Sequence, residues 1–168
     1  VTPEQVKVEE EPISFTPIPL PNTSTEFKKL EKAHPALEYV YDRKIDIQDY
    51  DFYVTDDRAN NMHKRVIIPC YWQRDIIGFV GRAIDANVTP KYWNRFDTGY
   101  VFNINRQLPE WKFVIVCEGP FDAMSVDGVA VMSNQISEQQ ADIIDSLGRE
   151  VIVIADQDQA GSKLLQDA

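Results

Sequence analysis

Three runs of consecutive apolar residues, 113–117 (FVIVC), 129–132 (VAVM) and 151–155 (VIVIA), are separated by segments of helical length. A strand that is apolar throughout is covered on both faces, whereas a half-exposed strand alternates. Such strands joined by helical crossovers form a parallel sheet with helices packed on it. Residues 109–168 are therefore predicted to be an α/β unit with a Rossmann-like parallel sheet. Pro120 suits the first turn of a helix, where its missing N–H costs nothing. Ser137 and Gln140 have capping-box spacing, for a helix ending near Gly148. Ala160-Gly161 opens a last helix with no strand after it, so the sheet is expected to be truncated at its C-terminal side.

Parallel sheets collect their ligands beyond the carboxyl ends of the strands, and there this sequence is acidic. Glu118-Gly119-Pro120-Phe121-Asp122 follows the first run, and Asp156-Gln157-Asp158-Gln159-Ala160-Gly161 follows the third. Asp122 lies one helical turn beyond Glu118, and Asp158 two residues beyond Asp156, so all four can face one place. Clustered carboxylates repel one another, a cation relieves the repulsion, and hard oxygen donors suit Mg²⁺ or Mn²⁺. Either motif alone reads as solvated loop acids. Both in order within one βαβ frame favour a metal site made of Glu118, Asp122, Asp156 and Asp158.

The net charge of −10 argues against nucleic-acid binding if taken whole. Its distribution argues otherwise: residues 61–106 hold 7 basic and 3 acidic side chains, between an N-terminal segment with 7 and 13 and a C-terminal one with 3 and 11. A basic stretch beside a carboxylate cluster suits a polyanion held in one place and metal in another. Residues 1–22, with five prolines and Glu9-Glu10-Glu11, are expected to be a flexible linker. Residues 23–108 are expected to be an α+β subdomain. Its elements are a helix that Thr23-Ser24-Thr25 opens before Glu26 and that runs to about Lys32, a second over 36–43, and strands over 52–54, 65–71, 76–84 and 100–102, with a turn at Gln73-Arg74-Asp75. Pro69 inside a strand predicts an edge or a bulge.

No apolar run is long enough to span a membrane. Cys70 and Cys117 have no metal-ligand spacing and sit in apolar stretches, as buried free thiols suited to a reducing cytoplasm. His34 and His63 are isolated and expected at surface or capping positions. No glycine-rich phosphate loop and no nucleophile elbow is present, so nucleotide binding would rest on metal and basic side chains.

Position by position, Glu118, Gly119, Asp122, Asp156, Asp158, Ala160 and Gly161 match the pattern of the TOPRIM domain, which the C-terminal part resembles. Upstream, Arg65-Val66-Ile67-Ile68-Pro69, Ile77-Gly78-Phe79-Val80-Gly81-Arg82-Ala83 and Pro90-Lys91-Tyr92-Trp93-Asn94 resemble the basic subdomain that precedes TOPRIM in DnaG-type primases. The segment with Leu37, Tyr39 and Tyr41 before Asp42-Arg43-Lys44-Ile45 is similar to that subdomain's opening. The likeness covers about residues 35–168. A zinc ribbon and a helical tail are absent from the sequence, and Ser133-Asn134 stands where bacterial members tend to have glycine, which suggests a phage-like member.

The resemblance implies a primase core that makes short RNA primers from ribonucleoside triphosphates on single-stranded DNA, alongside a replicative helicase. It assigns Glu118, Asp156 and Asp158 to catalysis, with Glu118 in proton transfer and the aspartates on metal. It places Arg82, Lys91 and Tyr92 in the channel for template and RNA; as basic side chains of the same stretch, Lys64, Arg65 and Arg106 are expected to be further phosphate contacts. Trp93 and Phe96 are expected in the core. Two rivals stand beside this reading: a TOPRIM-type metal-dependent nuclease, and a non-catalytic primase-like module that only binds DNA or a helicase.

Overall fold

The computed structural model describes residues 11–156. Asp158, the helix expected from Ala160 and residues 1–10 of the expected linker lie outside the described residues.

The N-terminal part is built on a five-stranded antiparallel sheet in sequential order: β1 (Thr25–Glu26), β2 (Tyr53–Val54), β3 (Arg65–Trp72), β4 (Asp75–Ala83) and β5 (Tyr92–Phe96). The long β3–β4 hairpin closes on Gln73-Arg74, with Trp72 opposite Asp75 and Gln73 at φ 56°. That positive φ is taken without glycine, which is uncommon outside Asn and Asp. A register shift between Cys70 and Tyr71 places the bulge that Pro69 foretold one residue further along.

Between β1 and β2 lies α1 (Pro35–Asp42), opened by His34, whose Nδ1 accepts from the backbone N–H of Ala36 at 3.2 Å. The helix expected over residues 25–32 does not form. Ser24 donates its hydroxyl back to the Pro21 carbonyl at 2.6 Å instead of capping, Thr25–Glu26 pairs as a strand, and only a 3-10 turn, Phe27–Lys29, follows. The segment 100–102 is not a strand either, as Phe102 makes a single bridge to Ala130.

The C-terminal part is the expected alternation: β6 (Phe113–Cys117), α2 (Pro120–Ser125), β7 (Val129–Ala130), α3 (Glu138–Asp145) and β8 (Glu150–Val153). Its sheet is parallel, in the order β7-β6-β8. Ser137 and Gln140 form the capping box in both directions. The Gln140 amide also donates to the carbonyls of Tyr100 (2.7 Å) and Val131 (2.8 Å), tying α3 to the junction of the two sheets. Apolar runs predicted full cover for β8, yet Val151, Ile152 and Ile154 are exposed, because among the described residues β8 is an edge strand paired only with β6.

One hydrophobic core joins the two sheets. Val66, Ile68, Cys70 and Val80 from β3 and β4 pack in one cluster with Cys117, Phe121, Ala123 and Ala130. Part of the expected linker lies on this body. Phe15 stacks edge-on against Trp72 (5.0 Å) and Tyr100 (5.8 Å), and Ile18 bridges Ile77. Prolines keep the segment extended, yet Ile13 and Phe15 pack against one hydrophobic cluster and Leu20 against another. Both cysteines are free and buried.

Candidate active site

Strand register brings the acidic motifs together. Central β6 leaves the sheet between its two neighbours: Ile154 N–H donates to the Val116 carbonyl at 2.9 Å on one side, and Met132 N–H to the Glu118 carbonyl at 2.9 Å on the other. The chain runs from β6 through α2 to β7, then through α3 back past β6 to β8. Strand order therefore reverses at β6, and in open parallel sheets that reversal opens the ligand crevice. Glu118 stands at the carboxyl end of β6, Asp122 on the first turn of α2, and Asp156 just past β8.

These three carboxylates line one cleft of about 260 Å³. Its other walls come from Lys91, Tyr92 and Asn94 at the start of β5, and from Met132, Ser133 and Asn134 after β7. Burial raises the Asp122 carboxyl above its ordinary value, and the charge of Asp156 raises it further, against the pull of Arg43 and Lys91. The neighbouring Cys117 thiol is pushed up to about 11, by burial first and then by Asp122 and Asp156. Asp122 and Asp156 thus act in one electrostatic field. Among the described residues, no three His, Cys, Asp or Glu side chains are grouped closely enough to serve as metal ligands.

The basic wall follows from cross-strand pairing. Arg82 on β4 is directly opposite Tyr92 on β5, and its guanidinium carbon lies 4.6 Å from the centre of the Tyr92 ring. Arg82 Nε donates to the Tyr39 hydroxyl at 2.6 Å. Arg43 lies 3.8 Å from the centre of the Tyr39 ring and 5.1 Å from that of Phe121. Burial raises the Tyr92 phenol, more than the Arg82 charge lowers it. Lys91 is exposed at the cleft mouth. Sequence reasoning left Tyr39, Arg43 and Asn94 out of the site. Tyr39 and Arg43 are four residues apart and share a helix face, but only the packing of α1 reveals that this face meets β4 and α2.

Three expected contacts lie elsewhere. Arg65 was expected on phosphate and is wholly buried. Its Nη1 donates to the carbonyls of Pro90 (2.7 Å), Gly81 (3.3 Å) and Lys91 (3.5 Å), and its Nε to that of Asn60 (3.3 Å), so it braces the interior. Arg106 donates to the Asp49 carbonyl at 2.6 Å and covers the Tyr50 ring at 4.2 Å, away from the carboxylate cleft. Lys64 is exposed at the start of β3 and does not line the cleft. Trp93 and Phe96 are half-buried and pack against hydrophobic clusters.

An antiparallel sheet fused to a parallel α/β layer is a fold this chain shares with DnaG-type primase catalytic cores. The Toprim-like family matches residues 115–168. The DNA primase of Campylobacter jejuni subsp. jejuni serotype O:2 is 34% identical over 115 residues, covering 59% of this chain and 19% of the relative. The crystal structure of the Aquifex aeolicus primase, with zinc-binding and RNA polymerase domains, superposes with a TM-score of 0.69 at 23% identity, over 80% of this chain and 46% of the other. A DnaG primase catalytic domain bound to single-stranded DNA superposes at 0.65 and 19% identity, over 82% and 59%. This chain spans 19% to 24% of the length of the curated relatives it matches. The chain is thus similar in sequence to part of these DNA primases, is Toprim-like over residues 115–168, and has the fold of DnaG-type catalytic cores.

Proposed function

We propose that this chain forms the larger part of a DNA primase core, which extends RNA primers from ribonucleoside triphosphates on a single-stranded DNA template. The carrying observation is that Lys91 and Tyr92 share one cleft with Glu118, Asp122 and Asp156. A cation-lined surface and a carboxylate centre are thereby brought within reach of one polyanion. The names of the homologous proteins support this reading, as does a structure of the same fold bound to single-stranded DNA. Residues 23–108 serve as the nucleic-acid-binding half and residues 109–168 as the half that carries the metal ligands. A replicative helicase and the cytoplasm are the setting such an activity needs.

Glu118, Asp122 and Asp156, joined by Asp158, would hold Mg²⁺ or Mn²⁺. Carboxylate oxygens are hard donors of the kind a divalent cation takes. The burial and the Asp156 charge that together raise Asp122 both disfavour the bare anion that a cation would neutralise. When bound, the metal supplies charge stabilisation for the triphosphate and activation of the attacking 3′ hydroxyl. Lys91 and Arg82 orient phosphates, Tyr92 offers a face for stacking, and Glu118 handles the proton of the hydroxyl.

Extension of a short RNA primer annealed to labelled single-stranded DNA tests this reading, with ribonucleotides and Mg²⁺ or Mn²⁺ present. Elongation that requires metal and is lost in Asp156→Asn supports it. Shortening of the DNA without nucleotides would replace it with a nuclease.

A further inference from the structure

We infer that Tyr39 is the positioning residue that holds both Arg43 and Arg82 beside the carboxylate cleft, an inference that rests on the primase reading. The two guanidiniums carry like charges and come from different elements, Arg43 from the end of α1 and Arg82 from β4. Nothing in either element's own geometry brings them together.

One side chain does so. The Tyr39 hydroxyl accepts from Arg82 Nε at 2.6 Å, and the face of its ring lies 3.8 Å from the Arg43 guanidinium. Its ring also meets Phe121 edge-on, with centroids 6.0 Å apart and planes at 76°. Phe121 is buried and adjoins Asp122 in α2. Tyr39 thus joins α1, β4 and α2 at the point where cations meet carboxylates.

The chemistry requires tyrosine. The π face attracts a cation electrostatically without consuming its hydrogen-bond donors, so Arg43 keeps all five N–H groups for a phosphate. The hydroxyl takes only the Nε of Arg82, which fixes the plane of that guanidinium over Tyr92. Phenylalanine would keep the Arg43 platform and release Arg82, whereas leucine would release both.

Two double-mutant cycles on the whole chain test this, with Kd for a labelled single-stranded DNA oligonucleotide measured over a salt series. Tyr39→Phe and Arg82→Gln should each weaken binding roughly tenfold, the scale of one charge-assisted hydrogen bond. Arg82→Gln should also reduce the slope of log K against log salt by about 0.7, one phosphate contact on a single strand. The double variant should bind within about twofold of Arg82→Gln, because the hydroxyl acts through that arginine. Tyr39→Leu paired with Arg43→Gln should be non-additive in the same way. Thermal midpoints of the variants exclude unfolding as the cause, and this second cycle can stand alone. Wild-type affinity in Tyr39→Phe, or losses that multiply in both cycles, would overturn the role of Tyr39 alone. A wild-type chain that binds no single-stranded DNA would overturn the primase reading, and this inference with it.

Discussion

The buried guanidinium of Arg65 donates to the carbonyl of Pro90 at 2.7 Å, one residue before Lys91 reaches the carboxylate cleft. A cation from one end of the β3–β4 hairpin therefore braces the turn that delivers Lys91, the residue just before β5. Gly81 makes room for it, since a Cβ there would lie 3.1 Å from Arg65 Cδ. Burial lowers the Arg65 pKa from its usual value, but four backbone carbonyls face its N–H groups.

Replacing Arg65 should accordingly act on both stability and the site. Arg65→Met keeps much of the stem and removes the donor from the buried carbonyl of Gly81 and from the part-buried carbonyls of Asn60 and Pro90. The expected cost is about 2 kcal/mol, chiefly from the one buried acceptor left unsatisfied, since water can reach the other two. Arg65→Lys should recover little, because one ammonium cannot span that fork of acceptors. Urea denaturation measures the loss, and primer extension by the folded fraction should fall as Lys91 loses its placement. An unchanged unfolding midpoint in Arg65→Met would show that the brace carries no stability.

The different legibility of these elements has a physical cause. Strands 113–117 and 151–155 stand out because continuous apolar runs need no partner to be recognised, and the acids that follow them inherit their position from chain connectivity. The segment Tyr92–Phe96 contains Asn94 and Arg95 and lies at the sheet edge, so no hydrophobic period marks it; only its pairing with Gly78–Arg82 makes it a strand. Arg65 was misread because an isolated arginine is normally exposed. Its burial depends on Gly81 and on the carbonyls of a turn some twenty-five residues away. The same non-local logic hid Tyr39 and Arg43, whose spacing on α1 was visible but whose neighbours on β4 and α2 were not. Ser24 looked like a helix cap by residue type, and the competing acceptor at Pro21 redirected its hydroxyl.

The tyrosines predict an alkaline limit to stability. Tyr50, Tyr53, Tyr71, Tyr92 and Tyr100 are all raised above the usual 10.0, with burial the leading cause in each. At Tyr71 the hydrogen bond to Asp51, 2.8 Å from the hydroxyl, adds to the shift. A group with a raised folded-state pKa holds its proton longer when folded. Its contribution is fully present below the unfolded value and is lost as pH climbs through the folded one. Stability should therefore be insensitive to these groups up to about pH 10 and fall above it. Tyr71→Phe should lose about 1 kcal/mol at neutral pH, for the bond to Asp51, and show a shallower decline above pH 10. Chemical denaturation from pH 8 to 11, read beside phenolate absorbance, measures both effects. Parallel curves for the two proteins would remove Tyr71 from the account.

Divalent metal should stabilise the fold through the same carboxylates that define the cleft. Asp122 and Asp156 repel each other across partly buried space, and a cation that binds only the folded chain relieves this. At a metal concentration one hundred times Kd, the gain is about 2.7 kcal/mol by mass action. For a domain of this size that corresponds to a rise in thermal midpoint of roughly 5–10 °C. Without metal, Asp122→Asn and Asp156→Asn should melt no lower than wild type, since each removes one of the repelling charges. With Mg²⁺ or Mn²⁺, both should lose most of the rise. Asp145→Asn, at the end of α3 and outside the cleft, should keep it. Differential scanning calorimetry across a metal titration distinguishes these outcomes without reference to activity. An equal rise in all four proteins would place the stabilising cation somewhere other than this cleft.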